Sequence, residues 1–352
     1  MLRRRSRITL AVALVAAAVT LLPGCETLGY YAQAVGGQFN LLSRARPLAD
    51  WLFDSATPAP LRAKLETALA IRDYASRALG LPDNASYRRY ADLGRPFAVW
   101  NVVAAPEFST KALQSCFPVA GCVTYRGFFA HEDAERHAAR LKQDGSDVHV
   151  YGVPAYSTLG WFDDPLLSTF IRYPDAELAR LVFHELAHQL VYARDDTTFN
   201  ESFAVAVEEA GVRRWLAATG RGVELSGYVE AQRRKADFVA LIEAARERLE
   251  RLYALRIAPE AMRERKRAEF DALKQDYAAL KRRWGGFAGY DRYIAAPDNA
   301  LLASIAAYTE QLPAFERLLE REGGDLARFY ARVRELATLG KDERGRRLAG
   351  LK

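Results

Sequence analysis

Cysteine and histidine are scarce in this chain of 352 residues, which contains three cysteines and five histidines. The sequence has no internal repeats and no long low-complexity segments, which excludes a repeat architecture. Its net charge is +6, but four arginines lie in residues 1–24, a segment without acidic residues. Removing those four charges leaves +2. We therefore expect no nucleic-acid partner.

Two of the five histidines fall within one helical turn, His184-Glu185-Leu186-Ala187-His188. Residues four apart share one face of an α-helix, so both imidazoles can hold the same Zn²⁺. Glu185 lies between them, close enough to take a proton from a water at the metal. Apolar flanks predict a buried helix, where unpaired imidazoles would be costly. The alternative is a chance match, with histidines that are merely polar.

A third ligand is expected from Glu201, thirteen residues beyond His188 within Asn200–Ala204. Turn and capping residues between the two positions predict that one helix ends and another begins there. Glu208 lies seven residues after Glu201 and shares its face, which makes it either a partner of a ligand imidazole or a solvated carboxylate. The other carboxylates that compete as ligands are Asp195, Asp196 and Glu209.

The motif HELAHQ followed by FNESFA resembles the gluzincin metallopeptidases, in which a Glu on a second helix completes the zinc site. Together with the leader, CFPVAGCVTYRGFF and AYSTLGWFDDPLLSTF, it resembles a bacterial family of predicted zinc aminopeptidase lipoproteins. The resemblance implies one Zn²⁺ per chain held by His184, His188 and Glu201, with Glu185 as general base. It also implies a tyrosine that stabilises the oxyanion. Tyr293 and Tyr308 are our candidates.

The motifs define the residues that would bind the substrate less well than they define the metal ligands. The Gly-x-Met-Glu-Asn motif, which pairs with the substrate amine in better-known relatives, is absent. Asp163 and Asp164 are possible substitutes, and cleavage within short peptides is the alternative. Residues 148–158 alternate in polarity and predict a strand, which either binds an extended peptide at its edge or forms an ordinary hairpin.

The first residues predict export. Arginines precede an apolar stretch too short for a comfortable membrane span, and Leu22-Pro23-Gly24-Cys25 follows. This end resembles a bacterial lipobox, which implies cleavage after residue 24 and a lipidated Cys25 that anchors the protein to a membrane. We expect a bacterial envelope protein that faces the periplasm, with the outer membrane as the favoured site. An uncleaved signal anchor is the alternative.

Cys116 and Cys122 are the two remaining cysteines. In an oxidising compartment this spacing predicts a disulfide that closes a tight loop, with two free thiols as the alternative.

The predicted fold is α+β and mostly helical, with a small mixed or antiparallel sheet next to the zinc-binding helix pair, as in a thermolysin-like core. We expect a signal peptide at 1–24, a helical region at 25–85 with one helix over 38–53, and the catalytic core at 86–224. A helical hairpin at 225–284 and a helical region at 285–352 follow, the last residues from 341 being polar and frayed.

The sequence thus favours an envelope-anchored zinc peptidase. The alternative function is a non-catalytic lipoprotein that keeps a zinc site and acts as an adaptor or scaffold. A latent enzyme with a covered cleft is a third possibility.

Overall fold

The computed structural model describes residues 29–117, 121–155 and 158–351. The predicted signal peptide and Cys25 lie outside these residues. The chain divides into two units, residues 1–44 and residues 45–352. In the first unit, the described residues 29–43 are helical (α1).

The second unit is mostly helical with small sheets, which confirms the predicted fold class. Its strands are β1 (Arg46–Pro47), β2 (Arg89–Ala91), β3 (Val99–Pro106), β4 (Ser115–Phe117), β5 (Gly121–Val123), β6 (Arg126–Phe128), β7 (Ser146–Val153) and β8 (Leu166–Leu167). Its longer helices are α3 (Ala59–Arg77), α4 (His131–Gln143), α5 (Asp175–Leu190), α6 (Thr197–Ala218), α7 (Gly222–Tyr253) and α8 (Pro259–Arg283). The remaining helices are α2 (Leu48–Phe53), α9 (Asp291–Ile294), α10 (Asn299–Thr309), α11 (Leu312–Arg321), α12 (Leu326–Ala337) and α13 (Lys341–Ala349).

The central sheet is antiparallel and has the strand order β6-β3-β7. β3 and β7 pair over their full length, from Val99 opposite Val153 to Pro106 opposite Ser146. Within the described residues, β7 is therefore an edge strand. The polarity pattern of residues 148–158 predicts a strand here, and the observed strand ends at Val153. A second sheet, β1-β2-β8, is mixed, because β2 runs parallel to β8 and antiparallel to β1. β4 and β5 form a hairpin.

α5 and α6 pack against each other, and α10 packs against both α6 and the strands β3 and β7. Pro174 precedes α5, and acidic residues in its first turn complement the positive end of the helix. The Asp196 side chain caps α6 by accepting a hydrogen bond from the Phe199 backbone N–H. The connection between the two helices is therefore short and well defined at both ends.

α7 and α8 form the predicted helical hairpin. Pro259 stands in the first turn of α8, where its missing N–H needs no helical partner. Apolar residues three or four positions apart face the partner helix and form a buried cluster that includes Phe238, Ile242, Leu249 and Leu273. The mixed charges lie outside this stripe.

Two predictions about helices are wrong. Residues 38–53 do not form one helix, because Arg46 and Pro47 pair with β2 as strand β1. A proline disfavours the helical conformation in the residue before it, which ends the helix. Residues from 341 are not frayed as far as Ala349, since they form α13. The buried Leu348 and Arg344 attach this helix to the rest of the second unit.

None of the helices in the described part of the chain combines the length and the apolar character that a membrane span requires.

Candidate metal centre

The α5–α6 pair brings three buried side chains together. His184 and His188 project from α5, and Glu201 projects from near the start of α6. The Nε2 atoms of the two imidazoles lie 3.2 Å apart. Glu201 Oε2 lies 3.3 Å from His184 Nε2 and 3.6 Å from His188 Nε2. The structure therefore places all three sequence-predicted ligands around one point.

The spacing of these atoms fits a tetrahedral zinc ion. Zn–N and Zn–O distances of about 2.0–2.1 Å place neighbouring ligand atoms about 3.3–3.4 Å apart in a regular tetrahedron. The three observed separations of 3.2, 3.3 and 3.6 Å bracket that value. Two imidazole nitrogens and a carboxylate that converge in a buried site present lone pairs to one another, and a cation relieves their repulsion.

Asn200 determines where Glu201 stands. Its Oδ1 accepts a hydrogen bond of 2.7 Å from the Ala193 backbone N–H, and its Nδ2 donates one of 2.8 Å to the Ala193 carbonyl. The side chain is buried, so both hydrogen bonds replace water that cannot reach these groups. Asn200 thus attaches the first turn of α6 to the segment that follows α5, and the adjacent Glu201 faces the imidazoles.

Glu208 is the partner of a ligand imidazole rather than a solvated carboxylate. Its side chain is only 1% exposed, and Oε2 lies 2.8 Å from His184 Nδ1. The same oxygen accepts a hydrogen bond of 3.2 Å from Arg180 Nη1. When Nδ1–H donates to this carboxylate, the His184 Nε2 lone pair is directed at the metal position. Arg180, one turn before His184, has no motif that singles it out in the sequence.

The charges of the site are strongly coupled. Burial raises the pKa of Glu201, but the neighbouring His188 and hydrogen bonds with both imidazoles outweigh it and lower the pKa to about 2. Burial likewise opposes the charged form of Glu208, but Arg180 and His184 lower its pKa to about 2. Burial lowers the pKa of His184, whereas its two carboxylate partners raise it to about 10. A cation at the centre would take the place of this proton.

Glu185 is buried on α5 beside the ligands. Burial raises its pKa, and the positive charges of His184 and His188 act in the opposite direction. A carboxylate with a raised pKa is a better proton acceptor than a solvated one. The structure therefore places Glu185 in a buried position on the helix that carries both candidate ligand imidazoles.

The two tyrosine candidates occupy different surroundings. The Tyr308 ring stacks at 6.3 Å from the His184 ring, and burial followed by the charge of Glu201 raises its pKa well above the usual value. Its phenol therefore stays protonated and able to donate. Tyr293 packs against Phe238, and its hydroxyl accepts a hydrogen bond of 2.6 Å from Arg292.

Three further tyrosines near Glu201 escaped the sequence analysis. Burial raises the pKa of each phenol, and the Glu201 carboxylate adds to that rise: Tyr125, Tyr151 and Tyr192. They come from a loop, a strand and the connection after α5, so no local pattern groups them. With seventeen tyrosines in the chain, only packing identifies those at the site.

The disulfide hairpin lies next to the α5–α6 connection. Cys116 and Cys122 form the expected disulfide between β4 and β5. The Cys122 backbone N–H donates a hydrogen bond of 2.6 Å to Asp195 Oδ1. The Asp195 side chain therefore binds this hairpin, and the Asp196 side chain caps α6. Neither is among the three grouped ligands.

Asp163 and Asp164, the two candidates for binding the amine of a substrate, also differ in their surroundings. Asp163 is exposed, whereas Asp164 is buried and accepts hydrogen bonds from both the backbone N–H and the hydroxyl of Thr158. Burial raises the pKa of Asp164 to about 7, with a further rise from the charge of Glu185.

A family model described as "Putative aminopeptidase" matches residues 29–348. Searches of curated proteins and of solved structures returned no match.

Proposed function

The chain therefore belongs to this aminopeptidase family, and from that premise we propose that it is a zinc-dependent peptidase. One observation carries the zinc dependence. The two imidazole nitrogens and the Glu201 oxygen lie 3.2–3.6 Å from one another in a buried site, at the separations of a tetrahedral ion. His184, His188 and Glu201 would hold one Zn²⁺ per chain.

Three protein ligands leave a position for water. When bound, the ion supplies Lewis acidity, which polarises a peptide carbonyl and makes a water a nucleophile near neutral pH. Glu185 accepts the proton of that water and passes it to the leaving amine. The Tyr308 phenol donates a hydrogen bond to the carbonyl oxygen as negative charge develops on it. Tyr293 is the less favoured donor, because it packs against Phe238, whereas Tyr308 stacks on the His184 ring.

The substrate is an extended peptide. β7 is the edge of its sheet within the described residues, and Tyr151 on this strand is one of the tyrosines that the Glu201 charge reaches. An edge strand offers free backbone N–H and C=O groups, which bind another extended chain by main-chain hydrogen bonds. Folded substrates could not adopt this pairing.

We further propose that the enzyme works in the bacterial cell envelope, anchored by a lipid on Cys25 and facing the periplasm. The arginine-rich start, the short apolar stretch and the lipobox-like end of the leader support this location. The Cys116–Cys122 disulfide suits an oxidising compartment.

The decisive experiment compares the wild-type protein with Glu185→Gln. Both proteins should contain one zinc by elemental analysis, because Glu185 is not a ligand. The wild type should hydrolyse members of a peptide library, and the variant should lose at least about a hundredfold in kcat, the contribution of a general base.

Glu177→Gln is the matched control, since Glu177 lies on the same helix but is half-exposed and pairs with Arg180 rather than with a candidate ligand. This variant should keep both zinc and activity. A wild-type protein that binds zinc but hydrolyses no peptide would contradict the proposal. It would leave the non-catalytic adaptor as the better explanation.

A further inference from the structure

Asp164 is a buried carboxylate without a cationic partner among the residues that the structure describes. It is 4% exposed and takes part in no ion pair there. Thr158 supplies its hydrogen bonds, 2.9 Å from the backbone N–H and 2.8 Å from the hydroxyl. Buried carboxylates are normally paired with a cation, because neutral donors only partly replace the lost hydration. The charge of Asp164 is therefore not fully compensated.

The position of Asp164 places it beside the proposed general base. The turn at Gly160 packs against Gln189, with an added Cβ only 3.7 Å from the Gln189 side chain. Gln189 lies four residues after Glu185, so both side chains share one face of α5. The loop that carries Asp164 therefore covers the face of the helix that bears the base.

Two further contacts hold this loop in place. The Asp164 carbonyl accepts a hydrogen bond of 2.6 Å from the Tyr87 backbone N–H. The Gln189 side chain accepts from Asn84 at 2.7 Å and donates to Ser86 at 3.2 Å. Segment 84–87, the Asp164 loop and the end of α5 thus pack as one body, which positions the carboxylate rigidly relative to Glu185.

We propose that Asp164 is the residue that binds the α-ammonium group of the substrate's N-terminal residue and so directs cleavage to the first peptide bond. This inference rests on the proposed zinc peptidase function. An ammonium group is a compact cation with three donors, and it supplies the charge that Asp164 lacks. Held beside Glu185, the first residue of a peptide has its own carbonyl close to the metal position, so cleavage releases that residue.

Two inhibitors test this inference directly: leucine hydroxamate and its N-acetylated form. Both carry the same metal-binding group, but only the first carries an ammonium. The wild-type protein should bind the free-amine compound about ten- to a hundredfold more tightly, as expected for a hydrogen bond between charged groups. In Asp164→Asn this preference should fall to about onefold, while binding of the acetylated compound stays unchanged.

Asp163→Asn is the matched control, because its exposed side chain neighbours Asp164 and should leave the preference intact. Equal binding of the two compounds to the wild type would overturn the inference, and this measurement needs no variant to fold. An equal loss for both compounds in Asp164→Asn would also overturn it, since that result indicates a structural role. If neither compound binds the wild-type protein, the result contradicts the proposed zinc site and therefore the proposed function, rather than the role of Asp164 alone.

Discussion

At the scale of single residues, the buried charges around His184 decide what the site can bind. Glu208 accepts from the His184 ring on one side and is paired with Arg180 on the other. Carboxylates in this position orient the imidazole and raise its basicity toward the metal. The Glu208 carboxylate is thus part of the candidate metal centre, although it is not one of the three grouped ligands.

Replacing Glu208 by Gln should therefore weaken zinc binding by about tenfold to a hundredfold, the usual effect of losing such a partner. Competition with a chelator of known affinity measures it. Glu209→Gln is the control, because Glu209 pairs with Lys235 and Arg213 instead. Equal zinc affinity in the wild type and Glu208→Gln would contradict this account of the His184 ring.

Glu208→Gln should also change how the stability of the metal-free protein depends on pH. The folded-state pKa of Glu208 is about 2, below its ordinary value of 4.5. A lowered pKa contributes stability that is present above pH 4.5 and is lost as the pH falls toward 2. Urea unfolding across this window should show a smaller acid loss in Glu208→Gln than in the wild type.

At the scale of elements, the α5–α6 connection brings the candidate ligands of two helices together. Both hydrogen bonds of the Asn200 side chain cross this connection to Ala193. Glu201 depends on them, because it directly follows Asn200 near the start of α6. The helical hairpin reaches the same region, since Lys235 of α7 pairs with Glu209 of α6 at 3.1 Å.

Asn200→Ala should lower the free energy of unfolding by about 1–3 kcal/mol, because it leaves two buried backbone groups of Ala193 without partners. Zinc affinity should fall as well, since Glu201 is no longer held toward the imidazoles. Chemical denaturation and chelator competition measure the two effects. Thr198→Ala, a change at a half-buried position in the first turn of α6, is the comparison for stability. A loss of stability with full zinc affinity would show that α6 keeps Glu201 in place without Asn200.

At the scale of the second unit, its last helix, α13, packs against the start of α6, although the two are far apart in sequence. Arg344 of α13 is buried, and its Nε lies 3.2 Å from Asp196 Oδ2. The guanidinium also stands 4.9 Å from the centre of the Phe199 ring. Both partners belong to the start of α6, so α13 closes over the helix end that carries Glu201.

Arg344→Met should cost roughly 3 kcal/mol of unfolding free energy, because it leaves Asp196 buried without its cation. Arg346→Met is the matched control, since Arg346 is exposed on the same helix and should change stability little. The midpoint of urea unfolding measures both. Equal stability of the two variants would mean that α13 does not brace α6.

Local pattern was sufficient for the features that depend on neighbours in sequence. The helix of His184 and His188, the apolar stripes of the α7–α8 hairpin and the close pair Cys116 and Cys122 all follow from spacings of a few residues. Such spacings determine which side chains share a face or can meet, whatever the rest of the chain does. The fold class was predictable for the same reason.

Packing alone placed Tyr308, and not Tyr293, against the His184 ring. It also buried Asp164 while leaving Asp163 exposed, and it brought Arg344 to Asp196. These contacts join residues far apart in sequence or depend on which side of a loop meets the helix. No periodicity encodes them, because they follow from how whole elements dock and from which charges that docking removes from water. The sequence by itself thus determined the candidate ligands and the base, and the tertiary structure decided their partners.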